Sequence, residues 1–151
     1  MRKNEEKLFF ILNKFAYPFV AIIPKPMIRV FLKIFIIGES KLFFGIRYIL
    51  YKRLFKSLGD KVVFSPFLTI KAPENIRVGT NVSINHNCFL EGAGGINIGS
   101  NVMIAHQVSI MSNSHITQDI NIPMKAQGVK MNKVTIEDNV WIGAKVTILD
   151  G

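Results

Sequence analysis

The feature that most constrains this chain is an apolar period of six. Val78-Gly79 is followed by Val82, Ile84, Cys88 and Leu90, and Ile98-Gly99 by Val102, Ile104, Val108 and Ile110. Ile136, Val140, Ile142-Gly143, Val146 and Ile148 repeat the pattern, and Phe64, Leu68 and Ile70 form a weaker first copy. A period of six fits neither an α-helix nor a long alternating strand. It fits short strands joined by tight corners, with aliphatic side chains pointing inward and stacking coil on coil. Gly79, Gly99 and Gly143 follow an inward residue, where bulk would crowd the corner. Asn81, Asn101 and Asn139 stand where a turn tolerates Asn.

Two interruptions break the register. Leu90 to Ile98 is two residues too long, and Gly92-Ala93-Gly94-Gly95 absorbs the excess. Ile110 to Ile136 spans twenty-six residues, so residues 112–133 are expected to leave the coil as a loop. A loop of that length in a compact repeat domain is usually functional or disordered.

The first two-fifths of the chain differs in kind. Residues 1–61 carry thirteen Lys/Arg against four Asp/Glu, whereas residues 62–151 carry six of each. Residues 1–58 are expected to be helical, with apolar faces at Phe9, Phe10, Leu12, Phe15 and Ala16 and at Ile28, Val30, Phe31, Ile34 and Phe35. Pro24 and Pro26 separate the two faces. A third segment, 42–58, places Ile46, Leu50, Leu54 and Leu58 four apart, and Gly59 is the expected stop. The domain reading is therefore 1–58 as a basic amphipathic helical segment and 59–151 as the coil.

Two uses of that basic segment stay open: packing on the end of the coil, or peripheral contact with an anionic membrane. Nucleic acid is not expected as a partner, because no zinc-finger, helix-turn-helix or RNA-binding signature accompanies the charge. No apolar run in the segment approaches the roughly 20 residues that span a bilayer, and no signal-peptide pattern is present. The single cysteine, Cys88, excludes an intrachain disulfide and falls at an inward position, which makes it core. The chain is read as cytoplasmic, with the inner face of the cell membrane as the site of any peripheral contact.

Several motifs carry a family resemblance. Val-Ser-Ile-Asn-His-Asn-Cys (82–88), Ile-Asn-Ile-Gly-Ser-Asn-Val (96–102), Ser114-His115 and Asp-Asn-Val-Trp-Ile-Gly-Ala (138–144) resemble the left-handed β-helix hexapeptide-repeat acyltransferases. The resemblance is to the maltose/galactoside O-acetyltransferases, and nearer to the capsule and exopolysaccharide branch. It covers roughly Leu58 to Gly151. It implies an all-β left-handed parallel β-helix with an N-terminal helical segment. It also implies a homotrimer with sites between subunits, acetyl-CoA as co-substrate, a sugar or polysaccharide hydroxyl as acceptor, and no metal.

Residue by residue, the resemblance makes His115 the general base. A sugar hydroxyl is a poor nucleophile until its proton is taken, and imidazole suits that task. On its residue type alone His115 is a loop histidine with a local hydrogen bond. Asn85 matches an acceptor-cleft Asn, and equally suits a corner. Trp141 matches the residue beside the pantetheine arm, and Gly143 and Ala144 a stretch at the thioester whose N–H groups could hold an oxyanion. Trp141 is alternatively a wall residue between coils. His86 and His106 read as solvated surface.

The family's acceptor-site Asp is replaced by Glu91, one place out of register, so that role is not carried over. The loop has no Arg after His115. Its Asp119-x-Asn121-x-Pro123 followed by Gln127-Gly128 points to the polysaccharide branch. Relatives continue past Ile148 with further coils that build much of the acyl-CoA tunnel, so the expectation is a truncated chain or one whose open end a partner covers. The alternative function is a catalytically impaired assembly or membrane-associated module. Transfer to a sugar amine is a further reading, against which the His115 loop and the Trp-Ile-Gly block argue mildly.

Overall fold

A computed structural model describes residues 9–150. The first eight residues of the expected helical segment, and Gly151, lie outside the described residues. From Ser57 onward the chain is a left-handed parallel β-helix of three sheets. The first sheet contains β1 (Ser57–Leu58), β4 (Ile76–Val78), β7 (Ile96–Ile98) and β12 (Val134–Ile136). The second contains β2 (Val63–Phe64), β5 (Ser83–Ile84), β8 (Met103–Ile104) and β13 (Trp141–Ile142). The third contains β3 (Thr69–Lys71), β6 (Phe89–Glu91), β9 (Ser109–Met111) and β14 (Thr147–Ile148).

The register explains the interruptions. Ser57 pairs with Arg77 and Arg77 with Asn97, as Val63 does with Ser83 and Ser83 with Met103, so one coil is twenty residues. The two residues beyond three hexapeptides always fall at one corner, first as the turn Pro73–Asn75 and then as the glycines at 92–95. At the next passage of that corner the offset grows to thirty-eight, with Asn97 pairing Thr135 and Met103 pairing Trp141. The expected loop is therefore the third version of an expanded corner. It is a built arm: β10 (Asn113–His115) and β11 (Val129–Met131) pair antiparallel, and the short helix α4 (Met124–Gln127) lies between them.

Inside the prism, Val62, Phe64, Ile76, Val82, Ile84, Leu90, Ile96, Val102, Ile104, Val108 and Ile110 are almost wholly buried. Each such side chain contributes about 1.5–3 kcal/mol. Cys88 is buried with them, its thiol directed to the Ala105 carbonyl at 3.1 Å, and burial pushes its pKa up. The corners hold Asn81, Asn101 and Asn139 at φ near +60°, as the sequence implied. Gly79 is needed for close approach: a methyl there would stand 2.7 Å from the Gly99 carbonyl carbon and oxygen of the next coil. Gly143 belongs to a different column, the one of Asn85 and Ala105, and a methyl there would meet nothing within 4 Å. That corrects its grouping with Gly79 and Gly99.

The N-terminal part is helical through 9–21, with a π-helical stretch Leu12–Ala16 running into α1 (Tyr17–Ala21). It continues in α2 (Lys25–Ile34) and α3 (Lys41–Leu54). Helix α3 ends at Leu54, not at Gly59, and the coil begins at Ser57. Phe55 turns extended, and Lys56 donates its N–H to the Pro73 and Ile76 carbonyls of the first coil. Leu58 keeps its inward direction by becoming a strand residue, so the four-residue spacing runs unbroken across the boundary.

Helix α3 closes the open end of the first coil. Tyr51 packs tilted against Phe64 with ring centroids 4.5 Å apart, and Phe55 packs on both. Arg47 is buried. Its Nε donates to the Phe64 carbonyl at 2.7 Å, and its Nη1 to those of Phe35 and Gly38 at 2.9 and 2.7 Å. Desolvation lowers its pKa. This helix therefore takes the packing alternative. The helices before it keep apolar side chains in solvent.

Candidate active site

His115 sits at the exposed end of β10, where the arm leaves the coil. Its placement begins at Ser112, which is wholly buried at the hinge. The Ser112 hydroxyl donates to the Glu91 carbonyl at 2.6 Å and accepts from the Gly94 N–H at 2.9 Å. The antiparallel ribbon sets His115 opposite Val129 and Ser114 opposite Lys130. A hydrogen-bonded clamp holds the far end. Gln127 Nε2 donates to the carbonyls of Asp119 and Ile122, both at 2.8 Å. The Asp119 carboxylate in turn accepts from the Asn121 N–H at 2.8 Å. The Asp-x-Asn-x-Pro…Gln sequence thus has a structural role: it shapes the loop.

An open cavity of about 460 Å³ lies against His115, lined also by Ser114, Ile116, Thr117, Gln118 and Lys130. The Ser114 hydroxyl is buried there without a partner. Sequence reasoning missed Lys130 as a neighbour of His115 and gave Ser114 no role of its own. The only signal was the antiparallel pairing across the arm, which spacing does not encode. Lys130 also lies 4.0 Å from the Asp150 carboxylate.

The other expected site residues lie elsewhere on the chain. Trp141 projects from β13 with 72% of its surface exposed, so it is not packed as a wall between coils. Gly143 and Ala144 follow at the corner after β13, with open space beside Gly143. Asn85 is at the equivalent corner of an earlier coil, and its Nδ2 donates to the Ile104 carbonyl at 2.8 Å, the corner reading. None of the four lines the His115 cavity. Glu91 pairs with Lys71 at 3.4 Å. His86 lies 3.5 Å from Glu39, and His106 is exposed. Among the described residues, no group of three or more His, Cys, Asp or Glu could hold a metal ion.

No family model matches the chain. Individual proteins do. It is 32% identical over 104 residues to the galactoside O-acetyltransferase of Lactococcus lactis, covering 68% of this chain and 49% of that one. A maltose O-acetyltransferase from Clostridium difficile superposes with a TM-score of 0.70 at 28% identity, covering 84% of this chain and 66% of that one. A galactoside acetyltransferase in complex with coenzyme A superposes at 0.68 with 26% identity, covering 84% and 64%. The chain spans about half the length of the curated relatives it matches. With these matches and its three-sheeted coil, the chain is a hexapeptide-repeat β-helix protein. It belongs to the acyltransferase family that includes the maltose and galactoside O-acetyltransferases.

Proposed function

We propose that this chain is an acyl-CoA-dependent O-acetyltransferase, with a hydroxyl of a sugar or of a cell-surface polysaccharide precursor as acceptor. The observation that carries the reading is His115, exposed beside a cavity on an arm pinned at both ends. His115 acts as general base. Its imidazole takes the hydroxyl proton as the oxygen attacks the thioester carbonyl carbon of acetyl-CoA. The tetrahedral intermediate collapses, the carbon–sulfur bond breaks, and the proton passes from the imidazolium to the departing coenzyme A sulfur. The products are an acetyl ester and the free thiol.

Trp141, Gly143 and Ala144 bind the donor. The exposed indole offers a face to the pantetheine arm, and the space beside Gly143 leaves room for it. Because these residues do not share the His115 cavity within one chain, the reading places the site between subunits of a homotrimer. Asn85 contributes to acceptor binding through the corner it braces. The polysaccharide class of acceptor rests on the resemblance of the 117–128 loop alone. Acetyl-CoA is an intracellular metabolite, so the reading also places the chain in the cytoplasm.

Calorimetric titration of the folded chain with acetyl-CoA tests the donor half. Saturable binding that weakens at least tenfold in Trp141→Ala supports it. A folded chain that takes up no acetyl-CoA refutes it and favours a non-catalytic coil. Sedimentation at three chain masses supports the site between subunits, and a monomer that binds and turns over refutes it.

A further inference from the structure

The helices ahead of the coil leave an apolar surface uncovered. Phe10, Phe15 and Phe19 on the 9–21 helix are 63%, 60% and 72% exposed. On α2 the exposed side chains Met27, Val30 and Ile34 are three and four apart and so share one face, while Ile28, Phe31 and Leu32 turn toward the core. The two helices therefore present apolar rows to solvent on the side away from their packing. Single exposed apolar side chains are ordinary, but rows of them on two helices mark an interaction surface.

Charge identifies what covers it. From Lys7 to Gly38 the sequence has five Lys/Arg and no Asp/Glu. The Lys14 ammonium lies 5.7 Å from the ring centroids of both Phe10 and Phe15, so charge and exposed aromatic surface are adjacent. On α2, Lys25, Arg29 and Lys33 are four apart and form a strip that flanks the exposed apolar row, and Arg29 reaches Glu74 of the first coil at 3.8 Å. A basic helix with one apolar side is what rests in the headgroup region of an anionic bilayer. No helix among the described residues is long and apolar enough to cross one.

We propose that the 9–21 helix and α2 form a docking surface for an anionic lipid bilayer, lying in its plane with Phe10, Phe15, Phe19, Val30 and Ile34 inserted. Each Lys or Arg near such a surface strengthens partitioning roughly fivefold, and the apolar row adds a term that salt does not screen. The inference does not depend on the catalytic reading, and acetyl-CoA binding is measured in parallel to keep the two apart.

The test is flotation of the full chain with vesicles of phosphatidylcholine alone and of phosphatidylcholine with phosphatidylglycerol. The expected result is binding to the anionic vesicles that weakens with salt. Lys14→Glu with Lys33→Glu weakens it by roughly 25-fold or more. Phe19→Ser with Val30→Ser weakens it by roughly tenfold or more. Both pairs are exposed, so the circular dichroism of the coil and the affinity for acetyl-CoA stay unchanged. Three results would overturn the proposal: equal or absent binding to the two vesicle types, binding untouched in either double variant, or a self-association in solution that Phe19→Ser with Val30→Ser abolishes. The last would show that a second copy of the chain covers the face.

Discussion

Replacing Gly79 by alanine tests the coil stack at one atom. The new methyl would stand 2.6 Å from Ser100 Oγ and 2.7 Å from the Gly99 carbonyl carbon and oxygen, where ordinary contact begins at 3.4 Å. The next coil must therefore retreat by about 0.7 Å at that corner. Two of the three atoms are backbone, so a side-chain rotation cannot relieve the clash. Rotating Ser100 would also release the Thr80 N–H, which it accepts at 3.1 Å. Retreat strains the ladder bond from the Gly79 N–H to the Ile98 carbonyl, now 2.8 Å. Overpacking of this kind costs about 1–3 kcal/mol, which at this chain length lowers the melting temperature by roughly 2–12 °C. The control is Gly143→Ala, whose methyl meets nothing within 4 Å, so its melting temperature should stay within about 1 °C of the parent. Thermal unfolding followed by far-ultraviolet circular dichroism reads both. If Gly79→Ala melts with the parent, or Gly143→Ala falls as far as Gly79→Ala, the stacking argument is wrong.

Other outcomes follow from the helical cap and the arm. Arg47→Met removes the donors to three carbonyls and leaves them unpaired, so denaturant unfolding should show a loss of about 3–5 kcal/mol; a loss below about 1 kcal/mol would contradict the cap geometry. Burial pushes the Tyr51 hydroxyl up to about 12 from 10. The folded chain therefore keeps a proton that the unfolded chain gives up, and stability present below pH 10 is lost as pH rises toward 12. The loss from this group is about 3 kcal/mol, and Tyr51→Phe should flatten that alkaline slope; an unchanged slope would refute it. Gln127→Ala releases the loop clamp, and hydrogen exchange should speed up in 117–123 while the coil stays protected.

Much of the coil was legible because its inward column is aliphatic at nearly every step. The one cysteine fits the same column, and its burial bears out the core reading. The start of the coil was hidden for the same reason. Leu58 continues the spacing of Ile46, Leu50 and Leu54, and it points inward whether the backbone is helix or strand. The burial of Arg47 was not legible, because a charged side chain on a helix is normally solvated and nothing local signals the three carbonyls it meets. Gly143 was put in the wrong column because an Ile-Gly pair occurs at two different corners. At the site, His115 could be picked out as a candidate, but not its setting. Lys130 joins it only through the antiparallel arm, and Trp141 stands on a sheet whose outward face leads away from the arm.

The role of His115 as general base is read from the release of coenzyme A thiol from acetyl-CoA in the presence of a sugar acceptor, by the parent chain and by His115→Ala. The variant is expected to fold, to bind acetyl-CoA as before, and to turn over roughly 10²–10⁴-fold more slowly, the usual contribution of a general base. Turnover by His115→Ala at the parent rate would contradict it.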